Sequence, residues 1–430
     1  MKSLAKCYDT LRDYVETVPL VDCHDHSGEC GPKYTDPLQA LIDHYFRSDL
    51  VSASSDEEVD LMEDLRRPLE ERWPVFERAW KRTRFTGYAE VPRRVLKHFY
   101  GEDELTLEAL KRMQPRLLDL ADEGVFDGIL AEAGIKVRIG DIWPDLRKVI
   151  DGTLKLTPRL RLAISLPGFH AITSAEQVNA YGALIGRTIT TLDDYLEVCR
   201  TVFEAYKQCG AVAFKDQSAY ERSLNYGNPT RAQAEEVFNW IMADPRRKAS
   251  YPDGIKPLDD YLFHAFMRMA RDMELPVQIH TGHMAGIRND ITKTNAVWLT
   301  PLIELHRDVR FDLFHANWPY SGELLFLAKN YPNVTIDFCW TNIVDPLYCQ
   351  ALFQQALSSV PHGKIHGYGS DFSGYADHAW AHAQIARENI AISLADLVEK
   401  GFFGLDDARE VAYAWLFGNP NQFFRLGLPG

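Results

Sequence analysis

Eight short apolar runs, separated by longer amphipathic stretches, constrain the fold of this chain more than any other feature. They cover residues 20–23, 128–133, 160–166, 211–214, 277–279, 309–314, 334–338 and 365–368. Most are nearly continuous in apolar residues, as expected for parallel strands covered on both faces. Strands alternating with helices form either a doubly wound sheet or a barrel, and a count of eight favours a distorted (β/α)8 TIM-like barrel of the α/β class.

One segment interrupts this alternation. Residues 37–120 contain no convincing strand and are rich in charged, helix-forming sequence such as EEVDLMEDLRRPLEERWPVFERAWKR. We therefore predict a helical insertion after the first strand, which would cover the mouth of the barrel. A helical unit without a role at the active site is the alternative. The predicted division is a barrel start over residues 1–36, the insertion over 37–120, and the rest of the barrel with its closing helices over 121–430.

The overall composition excludes several classes of function. The chain has 430 residues, of which 46% are hydrophobic and 25% charged, as is typical of a globular protein. Lys and Arg number 47 against 61 Asp and Glu, which gives a net charge of −14 with no basic run. We therefore expect a small molecule as the partner and neither nucleic acid nor an anionic membrane.

The segments that could direct the chain to a membrane or out of the cell are not evident. No apolar stretch is long enough to span a bilayer, and the first residues carry charges throughout, without the apolar core of a signal peptide. The seven cysteines are scattered and contain no CxxC pair, which a reducing compartment allows. We expect a cytoplasmic protein, and a homo-oligomer remains open.

Chemically active side chains follow five of the predicted strands at the point where each strand ends. In chain order they are His24 with His26, Lys215, His280, His315 and Asp371. Barrel enzymes place their active groups at the carboxyl ends of their strands. Alternate strand residues share a face, so His24 and His26 can point the same way into the mouth. Together these residues predict a metal-dependent active site.

In these residues the chain resembles the amidohydrolase superfamily, in its metal-dependent branch called amidohydrolase family 2. The HxH motif, the histidines after strands five and six and the aspartate after strand eight follow that superfamily's order. The segments PVQIHTGH, LFHANWPY, YPNVTIDF and GNPNQFF resemble the amidohydrolase-like domain fused to glutamine synthetase in some proteins. The insertion after strand one, and Trp340, resemble the uronate isomerases. The resemblance implies a distorted (β/α)8 barrel and names no substrate.

A role can be assigned to each of these side chains. We assign His24, His26, His280 and Asp371 to one divalent metal, most simply Zn²⁺, although Mn²⁺, Fe²⁺ or Co²⁺ suits the same ligands. Such a metal lowers the pKa of bound water to around 7. Asp371 can accept the proton of that water and pass it to the leaving group. His315 can stabilise a developing oxyanion or bind a second metal.

Lys215 has three interpretations. In binuclear members of the superfamily, a lysine at this position carries a carbamate that bridges two metals. An unmodified Lys215 would bind a substrate carboxylate or stabilise an oxyanion. A structural ion pair with Asp216 or Asp371 is the third interpretation.

Four further residues are predicted to contact the substrate, with a packing or surface role as the alternative for each. They are Tyr220, Arg222, His283 and Trp340. A guanidinium binds a carboxylate through two parallel hydrogen bonds, which favours an acidic substrate. The leading hypothesis is therefore a hydrolase of a small, polar, carboxylate-bearing compound. A sugar-acid isomerase of the uronate isomerase type and a non-oxidative decarboxylase are the enzymatic alternatives, and a binding module that has lost activity is the non-enzymatic one.

Overall fold

The structure, a computed structural model, describes residues 6–429 as a parallel eight-stranded barrel surrounded by helices. The strands are β1 Leu20–Asp25, β2 Ile135–Gly140, β3 Leu160–Ser165, β4 Ala211–Asp216, β5 Val277–Ile279, β6 Phe311–Leu313, β7 Val334–Asp337 and β8 Ile365–His366. Each strand pairs in parallel with the next along the chain. The predicted (β/α)8 fold is confirmed.

Backbone hydrogen bonds join β1 to the segment that follows β8. The amide of Cys23 donates to the carbonyl of Tyr368, and the amide of Asp371 donates to the carbonyl of His24 over 2.9 Å. The amide of His26 donates to the carbonyl of Phe372 over 2.8 Å. These bonds bring the first and last strands together and place Asp371 directly beside the HxH motif.

The second strand lies later in the chain than the apolar pattern predicts. Residues 128–133 belong to the end of a helix and the residue after it, so the prediction of a strand there was wrong. The helix is Glu123–Glu132, and the Asp122 side chain caps it by accepting from two backbone amides. The true strand carries a buried Arg138 that is paired with Asp25, and this charge interrupts the apolar run.

Helices fill the chain between β1 and β2, where the insertion was predicted. After α1 Tyr8–Thr17, which precedes β1, they are α2 Gln39–Ile42, α3 Phe46–Ser52, α4 Asp56–Glu63, α5 Leu69–Thr83, α6 Gly87–Tyr100, α7 Leu107–Met113 and α8 Glu123–Glu132. Side-chain caps from Ser55, Thr86 and Thr106 begin α4, α6 and α7. Phe46, Phe76 and Trp80 pack against one another among these helices, within the same buried core as the barrel strands.

The remaining helices surround the barrel. They are α9 Leu146–Ile150, α10 Pro167–His170, α11 Ala175–Leu184, α12 Leu192–Gln208, α13 Arg231–Met242, α14 Lys256–Asp272, α15 Thr300–Leu305, α16 Ser321–Asn330, α17 Thr341–Val344, α18 Pro346–Ser359, α19 Ala376–Glu399, α20 Leu405–Tyr413 and α21 Asn419–Phe423. The long α19 packs against α1, α6, α8 and α18 and ties the insertion to the barrel. Between residues 6 and 429, none of the helices has the length and apolar character that crossing a bilayer requires.

Candidate metal centre

Three side chains converge at the carboxyl ends of β1 and β8. The Nε2 atoms of His24 and His26 lie 3.2 Å apart. The Oδ1 atom of Asp371 lies 3.4 Å from the first of these nitrogens and 3.2 Å from the second. The chain reaches this geometry with Asp371 at a φ of 59°, in the left-handed region that non-glycine residues rarely adopt. Such backbone conformations concentrate at functional sites.

A second pair of imidazoles lies on the other side of the same carboxylate. His315 Nε2 lies 3.1 Å from His280 Nδ1 and 3.9 Å from Asp371 Oδ2. His315 also has a left-handed backbone, with a φ of 59°. Asp371 therefore stands between the HxH pair and the His280–His315 pair, with one oxygen toward each. The structure brings together all of the predicted metal ligands, although His280 contacts the group through His315.

The outer nitrogens of these rings fix their tautomers. His26 Nδ1 donates to the carbonyl of Asp141 over 3.0 Å, and His315 Nδ1 donates to the carbonyl of Cys339 over 3.0 Å. His280 Nε2 donates to the carbonyl of His283 over 2.7 Å. Because a carbonyl only accepts, each of these outer nitrogens carries a proton, and in the neutral rings of His280 and His315 the inner nitrogen offers its lone pair. Inward lone pairs beside a carboxylate repel one another unless a cation joins them, so the residues fit a divalent metal.

The electrostatics keep most of these rings neutral. Burial, together with the charge of Lys215, holds the pKa of His24 well below its usual range. Burial and the neighbouring His315 do the same to His280, and burial lowers the pKa of His315 to about 4. His26 differs. Burial lowers its pKa, but the hydrogen bond to Asp371 and that carboxylate's charge outweigh burial and raise the pKa to about 9. A metal would thus have to displace a proton from His26.

Of these groups, His26, His280 and Asp371 line the floor of a cavity of about 660 Å³. The lining includes His26, His44, Tyr45, Asp141, Trp143, Lys215, Tyr220, His280 and Asp371. His44 and Tyr45 come from the helical insertion. The Tyr45 hydroxyl donates to the carbonyl of Asp371, and Tyr45 stacks on Trp340 with ring centres 4.3 Å apart. The insertion therefore forms part of the wall above the candidate metal centre.

Lys215 faces this cavity from the end of β4. Its side chain is 1% exposed, and its ammonium lies 4.8 Å from the centre of the Phe314 ring. Over residues 6–429, Lys215 forms no ion pair with Asp216 or Asp371. Asp216 instead accepts hydrogen bonds from Ser218 and Tyr226. The ion-pair interpretation of Lys215 is therefore wrong, and its ammonium is available to the cavity.

Arg222 does not reach the cavity. It is 3% exposed, and its guanidinium pairs with Asp259 and, over 2.6 Å, with Asp260. Its other donors bond to the backbone carbonyls of Ser223 and Asn225. With its donors occupied inside the protein, Arg222 cannot clamp a substrate carboxylate, which corrects the prediction from sequence. Proximity to β4 suggested the role, but the sequence could not show that α14 supplies two buried carboxylates.

Tyr220 lies where the sequence predicted, at the edge of the cavity. It is 40% exposed, and its ring centre lies 4.8 Å from that of His280. Its hydroxyl accepts a hydrogen bond from the amide of Ala285 over 3.0 Å. Tyr220 therefore covers His280 and offers one face to whatever occupies the cavity.

His283 and Trp340 lie behind the cavity wall and not on its surface. Trp340 is buried, with its ring centre 4.6 Å from that of His283 and 5.2 Å from that of His315. His283 Nε2 lies 2.9 Å from the hydroxyl of Tyr88, a residue of α6. The two rings thus link the insertion to His315, a packing arrangement that orients the candidate centre from behind.

Sequence reasoning missed Asp141, which follows β2. Both of its carboxylate oxygens are buried without a hydrogen-bond partner among the described residues, and Oδ2 lies 4.0 Å from His26 Nδ1. Burial raises the pKa of Asp141. One ligand atom each from Asp141, His24 and His26 falls within 4.8 Å of the others. Asp141 is also a polar residue at the carboxyl end of a strand. The sequence did not reveal it because β2 was predicted at residues 128–133, which lie in the preceding helix.

Comparison with known proteins finds a family model that matches the C-terminal part of the chain and one related curated protein. A model of the family described as amidohydrolase (Amidohydro_2) matches residues 244–426. Protein fluG of Emericella nidulans is 26% identical over 243 residues, an alignment that covers 52% of this chain and 27% of that protein. The chain therefore spans about a quarter of the length of the curated relative it matches.

Solved structures share the fold over nearly the whole chain. Uronate isomerase from Thermotoga maritima superposes with a TM-score of 0.79 at 16% identity, covering 98% of this chain and 97% of that one. Glucuronate isomerase from Caulobacter crescentus gives 0.71 at 16% identity, covering 98% and 94%. A Lactobacillus casei protein assigned as a metal-dependent hydrolase gives 0.68 at 17% identity, covering 97% and 98%. At these identities the likeness shows a common fold.

Proposed function

We propose that the chain is a metal-dependent hydrolase of the amidohydrolase superfamily that acts on a small polar substrate carrying a carboxylate. One observation carries this proposal. His24 Nε2, His26 Nε2 and Asp371 Oδ1 lie within 3.4 Å of one another, and His26 and Asp371 line a cavity of about 660 Å³. We expect Zn²⁺ there, and Mn²⁺, Fe²⁺ or Co²⁺ suits the same donors.

When bound, a divalent metal supplies a Lewis acid and lowers the pKa of water to around 7. The chain's own residues supply the rest. Asp371 has a second oxygen, Oδ2, which faces His315 and not the HxH pair. That oxygen can accept the proton of the attacking water and return it to the leaving group. His315, kept neutral by burial, can be positioned beside the oxyanion that develops on the substrate.

Lys215 defines the proposed preference for an acidic substrate. With Arg222 excluded from the cavity, Lys215 is the only lysine or arginine that lines it among the described residues. An ammonium in so buried a position attracts a carboxylate strongly because water screens it little. Carbamate formation on Lys215 would replace this cation with an anion and would favour two metals and a neutral substrate. We propose the free ammonium and one metal at this centre.

A substrate screen with metal analysis tests the proposal. The purified chain is stripped with a chelator, reloaded with single metals and assayed on acyl-amino acids, lactones and uronic acids in ¹⁸O-labelled water. We expect activity that returns only with a divalent metal, with one labelled oxygen in the acid product. Turnover in the stripped protein, or product without the label, would contradict hydrolysis at a metal.

A sugar-acid isomerase is the second candidate, because the superposed structures named above include a uronate isomerase and a glucuronate isomerase. The same screen separates the two reactions. Isomerisation of glucuronate yields a ketose and places no labelled oxygen in its carboxylate. Release of carbon dioxide without net uptake of water would instead identify a decarboxylase.

A further inference from the structure

A second set of metal-binding side chains lies inside the barrel, on strands that also lead to the cavity. Cys23 of β1, Asp337 of β7 and His366 of β8 each place one ligand atom within 4.8 Å of the other two. All three are 0% exposed. None of them belongs to the candidate metal centre described above, and the proposed hydrolysis uses none of them.

Contacts between strands that are not neighbours show that this set faces the barrel axis. Gln278 of β5 donates to the carbonyl of Cys23 on β1 over 2.9 Å. His366 Nδ1 of β8 lies 3.1 Å from Asp312 Oδ1 of β6. We call Cys23, Asp312, Asp337 and His366 the interior cluster. On its far side, the rings of Phe423 and Phe424 pack against His366 with centres 5.0 and 5.5 Å away, which seals it from solvent.

The polar atoms of the interior cluster lack the hydrogen bonds that burial normally demands. Asp337 Oδ2 and His366 Nε2 are buried without a hydrogen-bond partner in the part of the chain that the structure describes. The contact of His366 Nδ1 with Asp312 Oδ1 is 3.1 Å long but lacks the alignment of a hydrogen bond. His366 Nδ1 lies 3.7 Å from Asp337 Oδ2, close enough to share a ligand but poorly placed to bond directly. Buried polar atoms are seldom left unpaired, so several at one point indicate a missing partner.

The charge of the interior also calls for a cation. Burial, together with the fully buried carboxylates Asp337, Asp312 and Asp22, raises the pKa of the Cys23 thiol. Burial lowers the pKa of His366, but Asp312 and Asp337 outweigh burial and raise it to about 9, so this ring supplies one positive charge against several carboxylates. Burial and the neighbouring Asp312 raise the pKa of Asp337 to about 7. A divalent cation would compensate these charges and would also favour the thiolate of Cys23, because a coordinating thiol is deprotonated outright.

We propose that Cys23, Asp337 and His366, with Asp312 as the fourth ligand, bind a second divalent metal inside the barrel. One thiolate, one imidazole and two carboxylates are a donor set for Zn²⁺ or its substitute Co²⁺. Binding releases the proton of the thiol and one proton of the His366 imidazolium to solvent. Four protein ligands leave no open position, so this metal is structural and joins strands β1, β6, β7 and β8. Since the site is sealed, the metal enters during folding and exchanges slowly.

Cobalt substitution tests this proposal with a readout that is independent of activity. The chain is expressed with Co²⁺, purified under reducing conditions, and its metal content and near-ultraviolet spectrum are measured. We expect a thiolate-to-cobalt charge-transfer band and a second equivalent of metal that resists a chelator. Cys23→Ser should remove the band and that equivalent. His26→Ala should remove the exchangeable equivalent and keep the band. A missing metal at the candidate metal centre can therefore be distinguished from a missing metal at the interior cluster.

Cys339→Ser is the matched control, because Cys339 is also buried and lies near His315 and Asp371. It should keep the band. A band that survives Cys23→Ser, or that disappears with Cys339→Ser, would overturn the proposal. If Cys23→Ser does not fold, X-ray absorption on zinc-loaded Cys339→Ser decides the question. A sulfur neighbour at about 2.3 Å supports the site, and a shell of nitrogen and oxygen alone overturns it.

Discussion

Two groups of histidine, aspartate and basic side chains lie near the strand ends, and they differ in how their polar atoms are paired. At the candidate metal centre, imidazole lone pairs and the Asp371 carboxylate face one another below a cavity. The second group, which we call the paired cluster, comprises His170, Asp216, Arg222, Asp259 and Asp260. Its charges are buried and bonded to one another. The same residue types are therefore available for catalysis where their polar atoms are unpaired, and they stabilise the fold where those atoms are paired.

The largest effect that this comparison predicts is on turnover. Asp371→Asn removes the proposed proton acceptor while keeping one oxygen for a metal. We expect kcat to fall by about 10³-fold or more, with most of the metal retained and no loss of thermal stability. Steady-state rates on the best substrate of the screen, elemental analysis and a thermal melt check this. Unchanged turnover would show that Asp371 is not the proton acceptor, and the proposed difference between the two groups of side chains would be wrong.

The paired cluster should show the opposite result. Arg222→Met removes the guanidinium that pairs with both Asp259 and Asp260 and leaves them only His170 and Lys256 as charged partners, so we expect the free energy of unfolding to fall by about 3–5 kcal/mol. KM, measured on the fraction that remains folded, should stay near that of the wild type. Arg246→Met is the control, because the Arg246–Asp244 pair is exposed and worth about 1 kcal/mol or less. A large rise in KM with normal stability would restore Arg222 as a substrate ligand.

The pH dependence of stability sharpens the same contrast. Burial lowers the pKa of His170, but the charge of Asp259 and its hydrogen bonds outweigh burial and raise the pKa to about 9. A folded-state pKa above the unfolded value of about 6.5 stabilises the protein fully below that value. The contribution is lost as pH rises through about 9.

Unfolding midpoints of the wild type and His170→Gln across this range test the sign. The gap between them should be widest below pH of about 6.5 and should narrow as pH rises through about 9. Protonation of metal ligands affects both proteins alike and cancels in the difference. A gap that stays constant or widens at alkaline pH would mean that His170 is neutral in the folded chain.

The sequence predicts the barrel and most of the candidate metal centre because both follow from strand ends. His24, Lys215, His315 and Asp371 stand where apolar runs stop, and parallel strands bring such positions to one rim. The prediction from sequence is wrong where a charged residue lies inside a strand. Arg138 interrupts the apolar pattern of β2, so that strand and the Asp141 that follows it were misplaced.

Whether a polar side chain is paired cannot be read from the sequence. Lys215 and Arg222 both follow β4, yet the first faces the cavity and the second is held by Asp259 and Asp260. Those carboxylates come from α14, 37 and 38 residues further along the chain. The local sequence pattern around β4 does not show which distant residues pair with these side chains. For the same reason, His44 and Tyr45 of the insertion could not be assigned to the cavity wall.

The smallest predicted effect concerns Trp143, which lies at the cavity mouth and which the sequence did not single out. Its ring is 80% exposed, although it lines the cavity together with the ring of Tyr220. An exposed indole contributes little to folding, but stacking against a bound substrate is worth about 0.5–1.5 kcal/mol. Trp143→Ala should therefore raise KM by up to about tenfold and leave kcat and the unfolding midpoint nearly unchanged. Trp240→Ala, at an exposed tryptophan of α13 outside the cavity lining, should change none of these quantities. If both variants behave alike, Trp143 makes no contact with the substrate, and substrate binding depends on the charged side chains deeper in the cavity.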